Sequence, residues 1–90
     1  MAIKLRTVIE EISVSKIIDS AIAQYPRIGD IFDGVKWRLA RDPRCGLKIP
    51  DHECYRIVKT ESFHNDLPSM SFLYKYDENN IFIKAIKINI

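Results

Sequence analysis

The sequence predicts an α+β fold, with a helical hairpin packed on one face of a mainly antiparallel four-stranded sheet. Apolar side chains repeat at helical spacing across residues 17–39 and alternate at strand spacing across residues 70–76. A block of helices followed by a block of strands is typical of α+β proteins, with the helices covering one face of the sheet. Together with a first strand at the N-terminus, the order is β-α-α-β-β-β, in a single domain of residues 1–90.

Length and composition limit the kind of protein this is. Ninety residues suffice for one core, and the net charge of +2 is too small for a general attraction to nucleic acid, although a local basic patch is compatible with it. No apolar run approaches the roughly 18 residues of a membrane span, and Lys4 and Arg6 interrupt any signal-like start. We therefore expect a cytoplasmic protein whose two cysteines are reduced.

The most clearly marked helix runs from about Pro26 to about Arg41, with Pro43 and Gly46 ending it. Its apolar residues share one stripe and are Ile28, Ile31, Phe32, Val35 and Leu39. Trp37 points away from this stripe, because nine residues at about 100° each place it opposite Ile28. We expect the stripe to be buried against Ile57, Phe72 and Tyr74.

The first strand is predicted at residues 2–10, where three apolar residues, Ile3, Leu5 and Ile9, alternate with Lys4, Arg6 and Val8. Ser13 or Ser15 can cap the helix that follows. Ile17, Ile18, Ala21, Ile22 and Tyr25 share one face of that helix before Pro26 interrupts it.

The C-terminal half contains the other strands. Residues 47–53 are predicted to be a loop because Pro50 interrupts them, and a strand follows from near Glu53 to Thr60. After a polar loop, residues 70–76 alternate so that Phe72, Tyr74 and Tyr76 face the helices. A turn at residues 77–80 leads to a final strand at 81–90. The first strand belongs either at an edge or beside the last strand.

Three motifs occur in a characteristic order: KWRLARDPRCG at residues 36–46, YRIVK at 55–59 and SFLYKY at 71–76. Over roughly residues 25–88 the chain resembles the RelE/ParE superfamily of toxins from type II toxin-antitoxin modules. The resemblance implies a small toxin neutralised by a cognate antitoxin, and acting either on gyrase or on ribosome-bound mRNA.

Two positions of the sequence differ from the family pattern, and they bear on the choice between gyrase inhibition and mRNA cleavage. RNA-cleaving members keep basic residues on the open face of the sheet, where they stabilise the charge that develops during cleavage. Val58 and Ser71 occupy two of these arginine positions. Arg56 and His64 remain as candidate catalytic residues, with His52 as a second proton carrier. The alternatives are that Arg56 is a solvated strand residue and His64 an ordinary loop histidine.

Two contact surfaces follow from the resemblance. Lys48, Arg56 and Lys75 are candidates for contact with nucleic acid or a protein target. Trp37, Arg38 and Arg41 are candidates for a partner interface, with an antitoxin or a second copy of the chain, the alternative being burial of Trp37 between the helices.

The function we expect is a toxin that binds its target, with gyrase as one candidate. The alternatives are a ribosome-dependent mRNA interferase and an inactive relic of the fold. No cofactor and no metal are expected. The spacing of Cys45, His52, Cys54 and His64 matches no standard zinc finger, and core cysteines explain the thiols better.

Overall fold

The computed structural model describes residues 5–60 and 68–89. The elements, in chain order, are β1 Thr7–Glu10, α1 Ile12–Gln24, α2 Ile28–Arg41, a 3-10 turn Pro43–Cys45, β2 Leu47–Ile49, β3 His52–Thr60, β4 Ser69–Tyr76 and β5 Asn80–Asn89. Two helices followed by a run of strands confirm the α+β class.

In the part of the chain that the structure describes, the sheet has five strands, not four, in the order β1-β5-β4-β3-β2. The fifth is β2, which lies in the predicted loop and pairs with β3 in an antiparallel hairpin. Its three residues are too few to show a period, and Pro50, which argued against a strand, lies in the turn between β2 and β3. Asp51 follows it there with φ 67°, a left-handed conformation that aspartate tolerates.

Strand β1 lies at one edge and pairs in parallel with β5, so the sheet is mixed. The sequence predicts strand β1 at residues 2–10, but within the described residues it covers only Thr7–Glu10. Residues 1–4 lie outside the described residues. The alternation of β1 is also reversed, because Val8 packs against the core while Ile9 is 44% exposed. Pairing decides this: Val8 lies beside the buried Ile81, so its neighbours along the strand must point away from the helices.

Both helices begin at positions that differ from the predictions. Helix α1 starts at Ile12 with Glu11 as its N-cap residue, so the serines expected to cap it lie inside it. The carboxylate of Glu11 pairs with the ammonium of Lys84 on β5, which joins the start of α1 to the sheet. Helix α2 starts at Ile28, because Pro26 belongs to the preceding turn.

The core forms between the two helices and one face of the sheet. From the helices it takes Val14, Ile18, Ile28, Phe32, Val35 and Leu39. From the strands it takes Val58, Met70, Phe72, Tyr74, Ile81 and Ile83. The stripe on α2 is buried as predicted, except that Ile31 is only partly buried, and the ring of Phe32 stacks on that of Phe72 at 5.5 Å.

The prediction that Ile57 faces the helices is wrong. Val58 is the core residue of β3, 7% exposed and paired with Phe72, whereas Ile57 pairs with Leu73 on the open face. Adjacent strand residues point to opposite faces, so only one of the two can meet α2, and the register with β4 selects Val58.

A bulge in β5 explains why its buried side chains change from odd-numbered to even-numbered positions along the strand. Tyr74 pairs with Ile83 and Leu73 with Ala85, so Lys84 is an extra residue. The buried side chains are therefore odd-numbered before the bulge, at Ile81 and Ile83, and even-numbered after it, where Ile86 packs against the core.

Candidate target-binding concavity

The three candidate contact residues Lys48, Arg56 and Lys75 line one open concavity of about 530 Å³. It lies at the end of the sheet where β3 and β5 begin and β4 ends. The remaining lining residues are Cys54, Tyr76, Asp77 and Phe82. Three strands thus bring together three positive charges that are far apart in the sequence.

Backbone carbonyl groups hold the guanidinium of Arg56 in place. Its Nη1 donates to the carbonyl oxygen of Gly46 at 2.8 Å and to that of Arg44 at 3.3 Å. The other guanidinium nitrogens remain as donors, since a guanidinium has five N–H groups. Arg56 is therefore both a brace for the segment after α2 and a fixed positive charge in the concavity.

Lys75 points to the open face, where its Nζ lies 5.8 Å from the centroid of the Phe82 ring. Lys48 is exposed on β2 and pairs with Arg56 in the strand register. Asp77 is the acidic member of the concavity. Its Oδ1 accepts hydrogen bonds from the backbone N–H groups of Asn79 and Asn80, which lower its pKa from the usual value, so the carboxylate stays ionised.

One tyrosine holds the segment that carries Gly46 against the sheet. The hydroxyl of Tyr74 donates to the carbonyl oxygen of Pro43 at 2.6 Å and accepts the N–H of Gly46 at 3.0 Å. Burial raises the pKa of Tyr74 to about 12, which keeps the hydroxyl protonated as a donor. Because Arg56 binds the same segment, this bracing also helps to position the guanidinium.

The two positions at which the resemblance predicts an arginine, Val58 and Ser71, have different surroundings. Val58 is inside the core, where an arginine would meet α2 rather than a ligand, so its open-face assignment is wrong. Arg56, two residues earlier and paired with the buried Tyr74, is on the same helix-facing side of β3, so it does not lie on the open face either. Ser71 is on the open face, paired with Lys59 and Lys87. Among the candidate proton carriers, His52 is exposed at the start of β3, and His64 lies outside the described residues.

The candidate partner surface is separate and lies on α2. Trp37 is 60% exposed, so it is not buried between the helices. With Leu5 and Ala40 it lines a depression of about 410 Å³, whose remaining lining residues are Arg6, Asp33 and Lys36. Arg38 and Arg41 are exposed on the same helix.

The cysteines have different surroundings. Cys45 is partly buried and packs against the core, as expected, whereas Cys54 is exposed in the concavity and is not a core residue. Within residues 5–60 and 68–89, no three histidine, cysteine, aspartate or glutamate side chains are grouped as metal ligands would be. No helix in the same ranges is long and apolar enough to cross a membrane.

Sequence reasoning missed four residues of the concavity, Cys54, Tyr76, Asp77 and Phe82, and the contribution of Leu5 to the Trp37 depression. No local pattern identifies them, because strand pairing alone brings them beside the predicted cations. Comparison with known proteins finds no family model, no curated protein and no solved structure that matches this chain. The case for a function therefore depends on the geometry of these two surfaces.

Proposed function

We propose that this protein is a toxin of the type II toxin-antitoxin kind that acts by binding a cellular target, with gyrase as one candidate. The observation that carries the proposal is the convergence of Lys48, Arg56 and Lys75 on one open concavity. A cationic surface of this size attracts an anionic or acidic partner and accelerates association.

Two features of the concavity favour binding over cleavage. The Nη1 of Arg56 donates to two backbone carbonyl oxygens, which leaves fewer guanidinium N–H groups to stabilise a developing anion. Asp77, with its lowered pKa, is a poor proton donor and a weak base. No histidine is among the described residues that line the concavity, and a charged surface without a suited acid and base binds its target more readily than it transforms it.

Neutralisation by an antitoxin protein is the second part of the proposal, and the Trp37 depression is where we expect it. Exposed tryptophan beside arginine is characteristic of the residues that dominate protein interfaces. The edge of the Trp37 depression carries both positive and negative charges. The Nζ of Lys36 lies 3.5 Å from Oδ1 of Asp33 and 3.9 Å from Oε1 of Glu10. A second copy of the chain is the alternative occupant.

Ribosome-dependent mRNA cleavage is the second candidate function, and the same three cations favour it. They could hold a phosphate backbone, and Tyr76 and Phe82 beside them offer rings to bases. Loss of one preorganised donor at a developing anion commonly costs about 100- to 1000-fold in rate, so we expect weak cleavage or none.

Induced expression tests the proposal, with growth, mRNA integrity and DNA supercoiling followed separately. We expect growth arrest with intact transcripts, lost in the double variant Lys48→Ala/Lys75→Ala. The matched control Lys16→Ala/Arg27→Ala removes two exposed charges from the helical side and should remain toxic. Normal growth with wild-type protein would refute a toxin, and codon-linked cleavage abolished by Arg56→Ala would establish the interferase instead.

A further inference from the structure

We propose that the open face of the sheet is a docking site for an acidic amphipathic helix of a partner protein. The proposal concerns a surface different from the Trp37 depression and does not depend on toxicity. It rests on three rows of side chains that the strand register places side by side.

The middle row is apolar. Ile57, Leu73 and Ala85 are neighbours across β3, β4 and β5. With Ile49 they line a shallow trough of about 470 Å³, on the side of the sheet that neither helix covers. Ile57 and Leu73 are only partly buried, and Ala85 is exposed. This row is an unpartnered apolar strip on the interior strands.

The rows on either side carry lysines, one between two aromatic residues in the first row and two in the second. At one end the register aligns Tyr55, Lys75 and Phe82, and at the other it aligns Lys59, Ser71 and Lys87. No acidic residue belongs to any of the three rows. Lysines at both ends of an apolar trough complement a partner with an apolar centre and acidic flanks.

The backbone explains why the occupant is a helix. Strand β4 already pairs with β3 on one side and β5 on the other, so the centre of the trough offers no free backbone groups. An extended peptide lying there would leave its own N–H and C=O groups unpaired, whereas a helix satisfies them internally.

The spacing of the lysine rows predicts the spacing of the acidic residues. Lys75 and Ser71 are four residues apart on β4, which is about 13 Å along a strand. At 1.5 Å per residue, a helix lying along the strands covers this distance in about eight to nine residues. We expect two acidic positions about eight residues apart, with apolar residues between them at helical spacing.

Two other occupants fit less well. A second copy of the chain would bring the same lysines face to face, which costs free energy. Single-stranded nucleic acid would satisfy the lysines, but its bases could stack only on Tyr55 and Phe82 in one flanking row, because the middle row is aliphatic.

Fluorescence anisotropy with a labelled probe tests the proposal. The probe is a helical peptide with leucines on one face and two glutamate pairs about eight residues apart, and the control peptide has lysines in place of the glutamates. We expect saturable, salt-sensitive binding of the first peptide alone. Binding of both peptides alike, or no saturable binding of either, would overturn the proposal.

Charge-reversal variants locate the binding. Lys59→Glu/Lys87→Glu should weaken binding by at least about tenfold, and Ala85→Glu, which places a negative charge in the trough, should do the same. Lys16→Glu/Arg27→Glu and Ala23→Glu make the same changes on the exposed helical side and should have no effect. Equal losses in both sets, or tighter binding of a single-stranded RNA that displaces the peptide, would refute a helix-docking face.

Discussion

Tyr74 and Gly46 form a close contact between the sheet and the segment that follows α2. A Cβ atom built on Gly46 would lie 2.5 Å from the hydroxyl oxygen of Tyr74 and 2.8 Å from the carbonyl oxygen of Ile57. The φ of Gly46 is −81°, so the position demands glycine for lack of space and not for a special conformation.

Gly46→Ala should therefore destabilise the protein by about 2–4 kcal/mol, because it overpacks the contact and disturbs buried hydrogen bonds. Urea unfolding measures this. Gly34→Ala is the matched control, since a Cβ there meets nothing within 4 Å in an exposed stretch of α2. We expect that control to be slightly more stable than wild type, and equal behaviour of the two variants would show that the contact is looser than described.

The raised pKa of Tyr74 predicts a pH dependence of stability at the alkaline side. The neutral hydroxyl is favoured in the folded state, with a pKa of about 12 against the usual 10.0, so its contribution is complete below about pH 10. It should then be lost as the pH rises from about 10 to 12, by roughly 2–3 kcal/mol. The measurement is the difference in unfolding free energy between wild type and Tyr74→Phe, which should be constant below about pH 10 and shrink above it. A difference that is flat up to about pH 12 would contradict the shift.

At the scale of elements, α2 has two unlike faces. Phe32 is 4% exposed and stacked on Phe72, whereas Trp37, one and a half turns further, is 60% exposed. One amphipathic helix thus contributes both to the core and to an external surface.

Phe32→Ala should cost about 3–5 kcal/mol, enough to unfold a protein of this size or nearly so. Trp37→Ala removes a larger aromatic side chain from the same helix but from its exposed face, and should change stability by less than about 1 kcal/mol. Thermal melts followed by circular dichroism compare the two. Similar melting temperatures would mean that α2 is rotated from the orientation described.

The bulge in β5 is the second feature at this scale, since it keeps isoleucines facing the helices on both sides of it. Deletion of Lys84 removes the extra residue, and the regular strand that results still pairs Ile83 with Tyr74 and Ala85 with Leu73, so Ile86 and Ile88 stay on the helix-facing side. We therefore expect the free energy of unfolding to change by less than about 1 kcal/mol. Denaturant unfolding measures this change.

Lys84→Ala is the control for that deletion, because it keeps the extra residue and removes only the exposed ion pair with Glu11. The pKa of Lys84 is raised by its hydrogen bond to Glu11 and by the charge of that carboxylate, and the substitution removes both interactions. We expect this variant to melt close to wild type. A deletion variant less stable than this control by roughly 2–5 kcal/mol would show that the bulge itself is needed to keep Ile86 and Ile88 buried.

At the scale of the whole molecule, different surfaces are presented on opposite sides of the sheet. The helical side carries the Trp37 depression and the open side carries the lysine rows. The cationic concavity lies at the end of the sheet, with Arg56 on the helix-facing side of β3 and Lys75 on the open face of β4. Two partners could therefore bind at once without competing for the same residues.

Trp37 is the single tryptophan, so its fluorescence reports on the helical side alone. In dilute solution we expect the long-wavelength emission of a water-exposed indole, because 60% of the residue is exposed. Addition of a partner, or self-association at high concentration, should shift the emission to the blue. Emission that is already blue-shifted at high dilution and unchanged by concentration would mean that Trp37 is buried and that any interface lies elsewhere.

The sequence by itself determined the features that depend on local periodicity. The stripe on α2, the position of Trp37 opposite it, and the inward side chains of β4 all follow from repeats of 3.6 or two residues. These patterns extend over enough residues for the hydrophobic effect to select one face.

Tertiary structure alone decided the features that depend on pairing between distant segments. These are the parallel edge position of β1, the short strand β2, the choice of Val58 over Ile57, and the convergence of Lys48, Arg56 and Lys75. A strand of three or four residues carries no period, and either face of an apolar pair such as Ile57 and Val58 satisfies the pattern. Register with a neighbouring strand settles such positions, and register is a property of two segments that the sequence of one cannot contain.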